Sequence, residues 1–220
     1  MRLRVQLPTR WVRIDLAGDV DAQIDEFLAA RLLTVPPRQR TALARTLEPL
    51  RQGYRSLGDT AALMVASPVY PVDGRSAHPQ LVFLPFDPPE GQTPLDAVLA
   101  VASTDASAAL LDLPDVVALR TSSSVPIPEQ SVGSGIPGRD LDGRVPPLTT
   151  RRWRYLVGDP TRPHAWLMVM ADVTLPTAAD AGEIENLLDA IAGSACLADD
   201  DLDPATPRHP PASTTPEESR

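Results

Sequence analysis

The sequence predicts an α+β fold in which a largely antiparallel sheet is covered by helices on both faces, an α/β/α sandwich. Three features of the chain carry that expectation. Residues 151–157 and 164–174 are strand-like runs joined by the turn-rich Gly158-Asp159-Pro160-Thr161-Arg162-Pro163, and a stripe of Ile184, Leu187, Leu188 and Ile191 at helical spacing follows them. Within the second run, Trp166, Met168 and Met170 point to one face while Ala165, Leu167, Val169 and Ala171 point to the other. Both faces then need cover, and the strand belongs at the centre of a sheet. The other strand-like runs follow one another in pairs around turns, the pattern of hairpins and of an antiparallel sheet.

The elements follow in chain order. Residues 3–7 and 10–16 are short strands broken at Pro8-Thr9, and alternation in the second sends Val12, Ile14 and Leu16 to the core. Asp19 is placed to cap a helix whose Ile24, Phe27, Leu28 and Leu32 form a stripe, and Pro36-Pro37 ends it and opens the next. That second helix, residues 37–57, carries Leu43, Leu47, Leu50, Tyr54 and Leu57 on one side. Pro49 is expected to kink or break it, and Gly58 to stop it. Residues 61–67 and 80–85 form a wide hairpin. Thr93-Pro94 opens a short third helix with Leu95, Val98 and Leu99 as its buried side, and residues 108–113 and 116–122 form a further strand pair.

Residues 123–147 hold five prolines and four glycines with little apolar periodicity, and read as a long loop whose composition favours a mobile insertion. After Leu197 come four aspartates within five residues, then a Pro/Ser/Thr/Glu tail, so residues 199–220 are expected to be disordered. With 220 residues and 43% hydrophobic content, residues 1–198 suit a single α+β domain that buries its core without a disulfide or metal staple.

All twenty basic residues are arginine and Asn186 is the only asparagine, a bias that points to GC-rich coding in a bacterium. Residues 1–56 carry ten arginines against six acids, net +4; residues 57–220 carry ten against 23, net −13, which sums to the formal −9. An acidic chain without a long basic stripe is a poor nucleic-acid binder, because phosphate neutralisation supplies most non-specific affinity. No run approaches the ~20 apolar residues of a membrane span, and the first residues lack the continuous apolar core of an export signal. The single Cys196 cannot form an intramolecular disulfide and reads as a small buried hydrophobe at a helix end. Together these features place the protein in the cytoplasm and off the membrane.

The motifs that carry chemistry fail on context. Gly133-Ser134-Gly135-Ile136-Pro137-Gly138 matches the dinucleotide pattern but lacks the strand before it and the helix after it that would hold a pyrophosphate. Asp140-Leu141-Asp142-Gly143 opens like a calcium loop, yet Arg151 stands where the closing bidentate glutamate is needed. Only His78, His164 and His209 offer imidazoles, none with a second ligand at helical or hairpin spacing, and no GxSxG elbow presents a nucleophile. No catalytic residue, cofactor or metal site is therefore assigned. Asp199, Asp200, Asp201 and Asp203 read as a solvated acidic tail.

The partner-binding candidates lie on the second helix, where Arg38 and Arg45 stand opposite the leucine stripe, Arg40, Arg51 and Arg55 flank it, and Glu48 is the only acid among them. Such a face is by default solvated; its alternative use is to dock an acidic partner or the Asp199–203 tail. The chain also resembles an uncharacterised family of small proteins from high-GC bacteria with an α/β sandwich similar to that of the PsbP-like group. The likeness rests on Leu7-Pro8 with Trp11-Val12-Arg13-Ile14-Asp15-Leu16, on Tyr155-Leu156-Val157, on Trp166-Leu167, and on Leu187-Leu188-Asp189-Ala190-Ile191-Ala192. It spans residues 5–197, and residues 123–147 have no counterpart in it. It implies a non-enzymatic accessory or interaction role alongside a bacterial secretion system. The expected function is thus a non-catalytic cytoplasmic interaction protein with a protein partner. Its alternatives are a small-ligand binder, or an enzyme with a pocket built on carboxylates or on His78 or His164.

Overall fold

The computed structural model describes residues 2–70, 72, 78–113, 116–127, 147–177, 179 and 181–198, with the backbone alone of Ala42, Leu43, Thr46 and Leu47. Seven strands form the main sheet: β2 (Trp11–Asp15), β3 (Met64–Pro68), β4 (Gln80–Pro85), β5 (Ala109–Leu111), β6 (Val117–Pro126), β7 (Leu148–Gly158) and β8 (Leu167–Pro176). They lie in the order β2-β3-β4-β8-β7-β6-β5, and every neighbouring pair is antiparallel. A small second sheet pairs β1 (Arg2–Arg4) with β9 (Cys196–Ala198). As expected, β8 is the central strand.

Alternation along the strands decides the layers. Leu167, Val169, Ala171, Val173 and Leu175 share one face with Met64, Ala66, Leu81, Phe83, Trp153 and Tyr155, and α4 (Gly182–Gly193) covers them with Ile184, Leu188 and Ile191. Leu3 and Leu197 of the β1–β9 pair pack against the same core. On the opposite face, Ile14 and Val65 lie beneath α1 (Val20–Leu33) and α2 (Pro37–Gly58), which contribute Ile24, Phe27, Leu28 and Tyr54. Further along that face, Leu119 and Trp166 pack on Val98 of α3 (Pro94–Thr104). Helices therefore cover both faces, but unequally. The α4 side of β8 is buried throughout, whereas Met168 and Met170 on the other side are half-buried and Thr174 is exposed.

Local signals account for the helix starts. Asp19 accepts from the Ala22 N–H at 3.1 Å, and Thr93 and Asp96 form a reciprocal capping box with Pro94 at the first helical position. At the β7 end, Gly158 is required by packing: a Cβ there would stand 2.3 Å from Cδ2 of the buried Trp166.

Several expectations need correction. α2 runs unbroken from Pro37 to Gly58 through Pro49; a proline costs a helix one backbone bond, which tertiary packing can offset. In α3 the buried residues are Pro94, Ala97 and Val98, while Leu95 and Leu99 are 39% and 57% exposed. The bulky Trp166 and Leu119 take the side of the helix with the smaller residues. Residues 123–126, read as the start of a loop, belong to β6 and pair with β7 through Pro126↔Thr149. Cys196 is exposed as the first residue of β9, not buried at a helix end. Residues 128–146, with the glycine-rich and calcium-like motifs, and the tail 199–220 lie outside the described residues.

Candidate functional site

The incomplete cover over β8 leaves a strip of the sheet between α1–α2 and α3. Register places its side chains in rows. One row runs Leu119–Leu156–Met168–Leu84, the next Thr121–Arg154–Met170–Val82–Val65, and the third Ser123–Arg152–Asp172–Gln80. The ends of the first two rows pass beneath the helices, and the middle of the strip is open. Met168, Met170, Val82, Leu84 and Leu156 are half-buried and Arg154 is exposed. The floor thus grades from apolar to charged over three rows.

Arg152 and Asp172 meet as a bidentate pair across β7 and β8, Nε to Oδ1 and Nη2 to Oδ2, both at 2.8 Å. This hydrogen bonding raises the Arg152 pKa. Their side chains remain 42% and 46% exposed, so solvent screens the pair. Arg154 has no carboxylate within 4 Å among the described residues. On this open face β7 carries Arg152 and Arg154, while Arg120 and Arg151 lie on the α4 side, and neither β6 nor β7 has an acidic residue. In a chain of net charge −9 this corner of the sheet is a local basic patch.

At one end of the strip a recess of about 330 Å³ is lined by His78, Gln80, Thr150, Asp172 and Thr174. The His78 pKa is lowered to about 4, first by burial and then by the Arg31 guanidinium. Its Nδ1 is buried without a hydrogen-bond partner among the described residues. Arg31 is itself buried in α1, its guanidinium 5.7 Å from the centre of the Phe27 ring, and burial lowers its pKa. His164 lies exposed ahead of β8, remote in register from Asp172.

A second polar cluster lies under α4. Arg120 Nη1 donates to Glu185 at 2.8 Å and to Asp189 at 2.6 Å, the Tyr155 hydroxyl donates to Asp189 at 2.9 Å, and Trp153 Nε1 donates to Glu185 at 2.9 Å. Burial, then the Asp189 charge, raises the Tyr155 pKa and keeps it a donor. Every member has a partner inside the cluster, whose work is to seat α4 on the sheet. Among the described residues, no group of three or more His, Cys, Asp or Glu side chains converges to hold a metal ion.

The arginines singled out on α2 are divided by the structure. Arg51 reaches Asp25 of α1 at 2.6 Å and Arg55 reaches Asp21 at 2.6 Å, so two of the five hold α1 and α2 together. The Arg40 Nε–H donates to the Val35 carbonyl at 3.4 Å, while Arg38 and Arg45 are exposed. Sequence reasoning missed the β6–β7 patch. Its two strands are separated by a long stretch of chain, and only the pairing Thr121↔Arg154 and Ser123↔Arg152 makes them neighbours. The half-apolar face of residues 165–171 was the one visible signal.

No family model and no curated protein matches the chain. Among solved structures, it is similar to the crystal structure of LpqN, involved in cell envelope biogenesis of Mycobacterium tuberculosis, at a TM-score of 0.34 and 8% identity over 88% of this chain and 81% of that one. Likeness at that level carries no functional argument, so function must be argued from this chain's own residues. No helix among the described residues is long and apolar enough to cross a membrane.

Proposed function

We propose that this is a non-catalytic interaction or accessory protein of the cytoplasm, and that its docking surface is the helix-free strip of β6, β7 and β8, which receives an acidic partner. The observation that carries this reading is Arg154, exposed and without a carboxylate among the described residues, set beside the half-buried Met168 and Met170. Methionines pack adaptably against a partner, and an uncompensated arginine supplies charge selectivity. Two features favour binding over catalysis at the recess. His78 is neutral at pH 7 with its Nδ1 turned into protein, and the Asp172 carboxylate is already engaged by Arg152. The exposed thiol of Cys196 supports a reducing compartment. A PsbP-like sandwich and an association with a bacterial secretion system belong to this proposal on the sequence resemblance alone. Arg38 and Arg45 on α2 are the rival docking set for the same kind of partner.

A photo-crosslinking residue at Met170, with one at exposed Leu33 of α1 as control, tests the reading in cells. The Met170 probe is expected to capture one defined partner, and Arg154→Glu to abolish that capture. Capture that ignores Arg154→Glu but is lost with Arg38→Glu/Arg45→Glu would move the docking surface to α2. Capture of nothing above the Leu33 control would leave the small-ligand reading of the recess in its place.

A further inference from the structure

The geometry points to strand addition at the free edge of β6 as the way the acidic partner is held: an extended partner segment lies antiparallel to residues 122–126 and places an acidic side chain opposite Ser123. This rests on the docking surface proposed above and specifies the ligand chemistry.

The two edges of the main sheet differ. At β2 the Trp11 N–H donates to the Pro8 carbonyl at 3.1 Å and the Asp15 N–H to Gln23 Oε1 at 2.8 Å, and the charged side chain of Arg13 stands between them on the strand. At the other end, β5 covers only Ala118, Leu119 and Arg120 of β6. Beyond it, the Ser122 N–H donates to Ser107 Oγ at 3.0 Å, which sets the phase of the strand: its even-numbered residues turn their backbone groups outward. The Ser122 carbonyl, both groups of Ser124 and the Pro126 carbonyl therefore face away from β7, with no strand beside them among the described residues. Pro126 has no N–H to leave unpaired, as suits an edge. Residues 122–126 are all exposed and carry none of the charged side chains that usually guard an open edge.

A segment entering antiparallel exchanges both backbone bonds with Ser124 and donates to the carbonyls of Ser122 and Pro126. Its flanking side chains fall opposite Ser123 and Val125, on the open face. Ser123 is short, and its neighbour on β7 is Arg152, with Arg154 on the diagonal. Strands lie about 4.8 Å apart, so an acidic side chain opposite Ser123 and an arginine two strands away meet over the small residue between them. Val125, 55% exposed, offers apolar contact to the residue on the other flank. The order along the partner, from its N-terminus, is therefore apolar, any residue, acidic. A second copy of this chain fits poorly, because β6 and β7 bring only arginines to such an interface.

A fluorescein-labelled peptide of sequence VTETVTET tests this against the full chain by anisotropy. Two N-methylated forms serve as controls, one blocking the threonine amides that would face β6 and one blocking the valine and glutamate amides that would face away. The native peptide is expected to bind, more weakly as salt rises; threonine methylation should weaken binding about tenfold or more, and valine/glutamate methylation should leave it unchanged. Replacing glutamate with lysine should weaken it similarly. Equal binding by the two methylated forms, or no binding by the native peptide, overturns strand addition. If Met170 crosslinking still depends on Arg154 in that case, the docking surface stands and only its mode falls; if that also fails, both fall.

Discussion

At Gly158 a Cβ would meet three atoms of the Trp166 indole, the nearest at 2.3 Å, and the indole is itself walled in by Leu119 and Val98. Gly158→Ala should therefore destabilise the fold by about 1–3 kcal/mol, read as a lower urea midpoint with an unchanged m-value. His78 makes stability depend on pH. Its folded pKa of about 4 lies below its ordinary value of 6.5, so the unfolded chain binds more protons between those limits. Stability should then be fully present above pH 6.5 and fall as pH drops towards 4, with a slope approaching about 1.4 kcal/mol per pH unit. His78→Gln should flatten that part of the curve in pH-dependent denaturation, and an unchanged slope would mean that His78 is not held neutral. Neither role was legible in the sequence. Gly158 read as a turn residue and His78 as a lone imidazole, because the packing of Trp166 decides the first, and burial with the distant Arg31 decides the second.

Elements were more legible than residues. The stripe of Ile184, Leu188 and Ile191, the alternation in β8 and the caps at Asp19 and Thr93 are local periodic signals, and each appears where it was expected. The misreadings occur where tertiary context chooses between equivalent local options: which side of apolar α3 is buried, whether α2 survives Pro49, and how far β6 continues into a serine run. The α4 seat shows what only the fold assembles, since Arg120 lies 69 residues from Asp189. Arg120→Ala leaves two carboxylates facing each other across one helical turn and should cost about 1–3 kcal/mol. Arg13→Ala removes only the exposed pair with Asp15 and should cost less than about 0.5 kcal/mol. Chemical denaturation of the two variants side by side checks the contrast; equal losses would remove the structural role given to the α4 cluster.

At the scale of the molecule, charge and cover are arranged together. Of the arginines placed around the leucine stripe of the second helix, Arg51 and Arg55 are matched to Asp25 and Asp21 of the helix beside it, and Arg38 and Arg45 are exposed. On the face that α1, α2 and α3 leave open, Arg154 of β7 is exposed with no carboxylate partner among the described residues, beside the Arg152–Asp172 pair. Binding at that surface should weaken with salt, because its charges are exposed. The most direct test is a backbone NMR titration of the full chain with the VTETVTET peptide. Shifts concentrated at Ser124, Arg152, Arg154 and Met170 are expected; shifts centred on Arg38 and Arg45 of α2, with the β6–β8 strip unmoved, would contradict docking at that strip.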